Sequence, residues 1–145
     1  MATRKRKGEY ASGLEERVAK ELDALGVKYE YESVKFIWKD YNPRAVCEVC
    51  GAKEVYQQRS YTPDFILAGG LIIEVKGRLT RRDRRVLCGV RKSNPDIDLR
   101  IIFDKDNRIN KGAKSRYSDW AASHDFLYSL KGKVPEIWTK TQKEK

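Results

Sequence analysis

Apolar and polar positions alternate along this chain in two periods, and the switches between them mark its elements. Leu14, Val18, Leu22 and Leu25 recur at helical spacing behind Ser12, and Gly26 stops the run. Val27 to Tyr31 alternates apolar and charged residues, as a half-buried strand does, and Val34 to Trp38 continues in extended style. Tyr41-Asn-Pro-Arg breaks the pattern. Glu54 to Tyr61 reads as a polar strand. Two short apolar strands joined by Gly69-Gly70 fill the stretch from Tyr61 to Gly77. Thr80-x-x-Asp83 caps a second helix that runs to about Ser93, where Asn94-Pro95 ends it. Leu99 to Phe103 is strongly apolar and predicts a strand central in the sheet. Tyr117, Trp120 and Ala121 share one face of a short helix, Phe126 to Leu130 reads as a last strand, and Pro135 to Trp138 as a turn that docks Trp138. This order of elements predicts an α/β fold with a mixed β-sheet flanked by helices.

The hairpin from Tyr61 to Gly77 carries charge among its apolar positions. Alternation puts Glu74 and Lys76 on one face with Ile72, and Leu71, Ile73 and Val75 on the other. A three-residue loop centred on Gly69 sets Asp64 opposite Glu74, and a slip of one residue would separate them. Two adjacent carboxylates repel unless a cation sits between them, and a hard divalent ion bound through oxygen answers that need. An ammonium at Lys76 then points to the same spot, where it can orient water or balance charge on a phosphoryl group. Pro63-Asp64 followed by Glu74-x-Lys76 is similar to the PD-(D/E)xK signature of metal-dependent nucleases. The plainer reading is a surface hairpin with ordinary charges.

Charge supports the first reading. The chain has 145 residues, room for one domain, and a net charge of +10, which favours a polyanionic partner, nucleic acid before membrane surface. No apolar run is long enough to span a bilayer, and no signal peptide is visible, so a cytoplasmic protein is expected. Arg4, Lys5, Arg6 and Lys7 form a basic arm within residues 1–11, and residues 139–145 a basic tail. Either is a solvated end or a phosphate-tracking arm. The second helix and its approach carry Arg78, Arg81, Arg82, Arg84, Arg85, Arg91 and Lys92 against one acid. That face is either merely solvated or a phosphate-contacting surface, and its closeness to Lys76 favours the second.

Two features stay open on pattern alone. Glu15 is either the N3 partner of Ser12 in a capping box or a third acidic ligand near Asp64 and Glu74. Cys47-x-x-Cys50 is half a zinc site, with only Cys88 and His124 to complete it within one chain. A pair of reduced thiols is preferred to zinc there, and an odd cysteine count fits a reducing compartment. His124, alone at a helix end, reads as a cap.

Ser12-Gly-Leu-Glu15, Tyr61-Thr-Pro-Asp-Phe65, Glu74-x-Lys-Gly77 and Asp98-Leu-Arg-Ile101 together resemble the bacteriophage endonuclease I family of junction-resolving enzymes in order and spacing. The resemblance covers about Ser12 to Trp138, and the chain departs from the family in two places: a longer stretch, about 42–60, that holds the two cysteines, and the ends. It implies a nuclease domain over residues 12–138 with a restriction-endonuclease-like core, in an intertwined, segment-swapped homodimer. It implies that Glu15, Asp64, Glu74 and the carbonyl of Val75 bind magnesium or manganese, two ions per site, with Lys76 as the catalytic lysine. It implies cleavage of four-way and branched DNA, and the basic helix and the N-terminal arm are the candidates for holding the arms of the junction. Three alternatives compete: a related nuclease acting on mismatched or linear duplex, a non-catalytic junction-binding module, and a zinc-dependent interaction protein built on Cys47 and Cys50.

Overall fold

The computed structural model describes residues 10, 12–41, 49 and 56–140. The elements are α1 (Gly13–Ala24), β1 (Tyr29–Tyr31), β2 (Phe36–Tyr41), β3 (Tyr56–Tyr61), β4 (Phe65–Leu67), β5 (Ile72–Lys76), α2 (Arg81–Ser93), β6 (Leu99–Phe103), α3 (Tyr117–Ser123), β7 (Tyr128–Ser129) and α4 (Glu136–Thr139). Five strands form a mixed sheet in the order β1-β4-β5-β6-β7. β1, β4 and β5 run antiparallel, and β5, β6 and β7 parallel. A parallel neighbour needs a crossover, and α2 supplies it between β5 and β6.

The alternation in β5 divides the interior. Ile73 and Val75 face a core with Val18, Ala19 and Leu22 of α1, together with Tyr29, Tyr31, Phe65 and Trp138. Ile72 faces a second core with Leu87 of α2, Trp120 and Ala121 of α3, and Phe103. The sheet is thus covered on both faces, which is why β6 reads as a nearly continuous apolar run. β5, not β6, lies in the middle of the sheet.

β2 and β3 do not join this sheet. They pair only with each other, from Phe36↔Tyr61 to Tyr41↔Tyr56. Their sequences explain it: Lys39, Asp40, Gln57 and Gln58 offer little apolar surface for a sheet interior. One residue anchors the ribbon. Trp38 is buried against α2 at Gly89, where an added Cβ would come within 2.5 Å of the indole. Asp40 is buried on the same side and accepts Nε of Arg59 at 2.7 Å and Nη2 of Arg85 at 2.8 Å.

Most boundaries fall within two residues of the pattern-based reading. β7 is shorter than Phe126 to Leu130, and Pro135 to Trp138 leads into the single helical turn α4 rather than a plain turn. Trp138 is docked in the first core as expected. Among the described residues, no helix is long and apolar enough to cross a membrane.

Candidate active site

The β4–β5 hairpin brings the motif residues together. Leu67 N–H donates to the Leu71 carbonyl and Gly70 N–H to the Leu67 carbonyl, each at 2.8 Å. Gly70 takes φ of 96°, a left-handed value that a side chain would resist. This closes a three-residue loop and sets Phe65 opposite Ile73 and Ile66 opposite Ile72. The same register continued by one pair sets Asp64 opposite Glu74. Val75 N–H donates to Asp64 Oδ2 at 2.8 Å and pins that carboxyl to β5.

Glu74 is 5% exposed and Asp64 8%. Tyr61, at the end of β3, donates its hydroxyl to Glu74 Oε2. Lys76 Nζ lies 3.4 Å from Glu74 Oε1 and 3.3 Å from Asp83 Oδ1. Asp83 closes the capping box of α2: its Oδ2 accepts Thr80 N–H at 2.9 Å, and Asp83 N–H donates to Thr80 Oγ1 at 3.1 Å. One aspartate therefore both starts the basic helix and fixes the lysine.

Glu15 reaches Asp64 from α1. Ser12 Oγ accepts Glu15 N–H at 3.1 Å, so the N-cap forms. The Glu15 carboxylate turns inward and accepts the hydroxyl of Tyr31. Carboxylate oxygens of Glu15, Glu32 and Asp64 all lie within 4.8 Å of one another. The close acidic set is therefore Glu15, Glu32 and Asp64, while Glu74 pairs with Lys76.

The electrostatics follow from burial. Burial, then the nearby charge of Glu74, pushes Asp64 up to about 9 from its ordinary 3.8. Burial also raises Glu74, although Lys76 and the Tyr61 hydroxyl oppose it. For Lys76, burial disfavours the ammonium, but Glu74 and Asp83 outweigh it and hold the group above its ordinary value. Asp83 is lowered, because the Thr80 hydrogen bonds and Lys76 overcome its desolvation. A neighbourhood with this many carboxylates around one half-buried lysine suits a hard cation: the acidic donors are all oxygens, and those of Glu15, Glu32 and Asp64 lie within 4.8 Å of one another.

Tyr61, Tyr31, Glu32 and Asp83 were not singled out as site residues in the sequence. Tyr61 opens the Tyr-Thr-Pro-Asp motif, and Asp83 was visible only as a cap. Glu32 adopts φ of 48°, and its N–H donates to the Asp64 carbonyl at 3.0 Å, a contact no periodicity announces.

Arg78, Arg81 and Arg82 are exposed around the start of α2, beside Lys76. Arg85 is exposed but already paired with Asp40. Arg84 donates to the Leu79 carbonyl, and Arg91 to the carbonyls of His124 and Asp125, so these two tie loops down. His124 ends α3, its ring stacked on Trp120 and its Nδ1 at 2.9 Å from the Trp120 carbonyl. Cys88 packs against the second core. Cys47, Cys50 and Arg4 to Lys7 lie outside the described residues.

The family model for phage endonuclease I matches residues 1–145. Endonuclease I of Escherichia phage T7 is 33% identical over 138 residues, which are 94% of this chain and 83% of that protein. Endodeoxyribonuclease 1 of Enterobacteria phage T3 is 32% identical over 123 residues, 84% of this chain and 72% of that protein.

Proposed function

The chain belongs to the phage endonuclease I family and is an endodeoxyribonuclease, and we propose that it resolves four-way and other branched DNA by hydrolysing phosphodiester bonds. The observation that carries the reading is the opposition of Asp64 and Glu74 across one hairpin, with Lys76 at 3.4 Å and Glu15 within reach of Asp64. In this reading Glu15, Asp64, Glu74 and the carbonyl of Val75 hold magnesium or manganese, two ions per site. When bound, such ions acidify a water for attack and neutralise charge on the leaving oxygen. Asp64, close to Glu15 and opposite Glu74, would be the carboxylate best placed to help hold the ions. The Lys76 ammonium, kept charged by Glu74 and Asp83, balances charge gathering on the phosphoryl oxygens. Tyr61 and Val75 N–H hold Glu74 and Asp64 in place, so little reorganisation remains for the reacting state.

The partner is branched DNA, read by shape and phosphate spacing rather than by base edges. Arg78, Arg81 and Arg82 beside the site, with Arg85 further along α2 and the arm from Arg4 to Lys7, are the proposed phosphate contacts. The mixed sheet with helices on both faces supports a restriction-endonuclease-like core. A homodimer would give two sites for two strands, and the host cytoplasm is the proposed place of action. Glu15 meets Asp64 within one chain here, and the same contact can be made between chains if α1 is exchanged.

The test compares magnesium-dependent cleavage of a synthetic four-way junction with that of linear duplexes of the same sequences. Faster cutting of the junction is expected, and equal rates would favour a nuclease of linear or mismatched duplex. Binding without magnesium-dependent cutting would mean a non-catalytic module. For the exchange, mixing Glu15→Ala chains with Lys76→Ala chains should restore nicking through one intact composite site. No recovery would argue for sites built from single chains.

A further inference from the structure

We propose that the outer face of the β2–β3 ribbon is a second DNA contact, taking a strand of the substrate about four to five nucleotides from the bond that is cut. The inference rests on the reading of the substrate as branched DNA.

The ribbon has two unlike faces. Trp38 and Asp40 point to α2 and are buried there. Lys39 and Tyr41 point away, beside their cross-strand partners Gln58 and Tyr56. Tyr41 and Tyr56 touch, with ring centroids 5.4 Å apart, and remain 44% and 46% exposed. Lys39 Nζ lies 4.7 Å above the Tyr56 ring, and Lys92 Nζ, from the end of α2, 5.6 Å above that of Tyr41.

A cross-strand tyrosine pair by itself stabilises a ribbon. The lysines need another explanation. Asp40, the sole acid among the described ribbon residues, is on the opposite face and is taken by Arg59 and Arg85. Among the described residues, the outer face therefore offers two ring faces and two ammonium groups with no carboxylate between them. That combination suits bases that stack and phosphates that pair, as on surfaces that hold splayed or single-stranded nucleic acid. A second copy of the same face would instead set four lysines against one another.

The ribbon also leads to the active site. Tyr61, whose hydroxyl meets Glu74, is five residues along β3 from Tyr56, a span of about 17 Å. Along α2, Asp83 beside Lys76 is nine residues from Lys92, a rise of about 14 Å. For a strand that stays stacked between the two places, at about 3.4 Å of helix axis per nucleotide, either path covers four to five nucleotides.

The experiment uses the full-length protein and a four-way junction in EDTA, where nothing is cut. Replacing both tyrosines (Tyr41→Ser with Tyr56→Ser) should weaken junction binding about tenfold, while Tyr41→Phe with Tyr56→Phe should preserve it. Lys39→Gln with Lys92→Gln should reduce the slope of log affinity against log salt by about two. Hydroxyl-radical footprinting should lose protection four to five nucleotides from the cut in the serine variant and keep it elsewhere. Unchanged affinity and footprint in variants of a wild type that still prefers junctions would overturn this proposal alone. A wild type with no preference for the junction over linear duplex would overturn the parent reading and this one with it. A dimer that becomes monomeric in light scattering when the tyrosines are replaced would make the face a contact between chains, which also overturns it.

Discussion

Replacing Asp64 with asparagine should stabilise the metal-free protein while ending its activity. The folded Asp64 carboxyl is pushed up to about 9, first by burial and then by Glu74, against 3.8 when unfolded. At pH 7 the folded state therefore keeps a proton that the unfolded state has lost. The sign is fixed by linkage: this contribution is fully present below pH 3.8 and is lost as pH rises towards 9. At about 1.4 kcal/mol per pH unit, the cost at pH 7 is up to about 4 kcal/mol. Asparagine mimics the neutral acid, and its carbonyl can still accept the Val75 N–H. The assay is urea unfolding in EDTA at fixed protein concentration, at pH 4 and pH 7. The variant should gain between about 1 and 4 kcal/mol at pH 7 and little at pH 4. Magnesium should then favour wild type, by about 2.7 kcal/mol at a hundred times its dissociation constant. A variant that is less stable than wild type at pH 7 in EDTA would refute the view that Asp64 is held for a cation at the expense of the fold.

Three further outcomes are expected. Tyr61→Phe removes the hydroxyl that orients Glu74 and should lower activity by about 10- to 100-fold at limiting magnesium, with partial recovery at high magnesium; a magnesium titration checks it. Gly89→Ala drives a methyl into the Trp38 indole and should destabilise the protein by about 1–3 kcal/mol in urea unfolding, as overpacking does. Deleting residues 1–7 should weaken junction binding and flatten its salt dependence, and an unchanged slope would make that arm a bystander.

The site was legible where covalent neighbours decide it. Strand period and a glycine turn were enough to oppose Asp64 and Glu74, because the hairpin closes over three loop residues. Capping chemistry likewise marked the start of α2 at Thr80 and Asp83. Contacts between distant segments were not legible. Tyr31 on Glu15, Glu32 beside Asp64, and the second duty of Asp83 on Lys76 depend on how α1, β1 and α2 dock, which local periodicity does not encode. The separate β2–β3 ribbon was missed for a related reason: a polar strand signals exposure but not which neighbour it will pair with. Glu15 is instructive. Its backbone N–H meets the Ser12 cap, but its carboxylate turns to Tyr31 and Asp64 instead of completing a capping box.

In the proposed mechanism Glu74 belongs to the machinery that breaks the phosphodiester bond. Glu74→Gln keeps the shape and the neighbouring packing but removes the charge. Single-turnover cleavage of a four-way junction in magnesium, with binding measured in parallel, tests it most directly. Cleavage should fall by about a thousandfold or more while junction binding is kept or tightened. A glutamine protein that cuts at the wild-type rate would contradict the account.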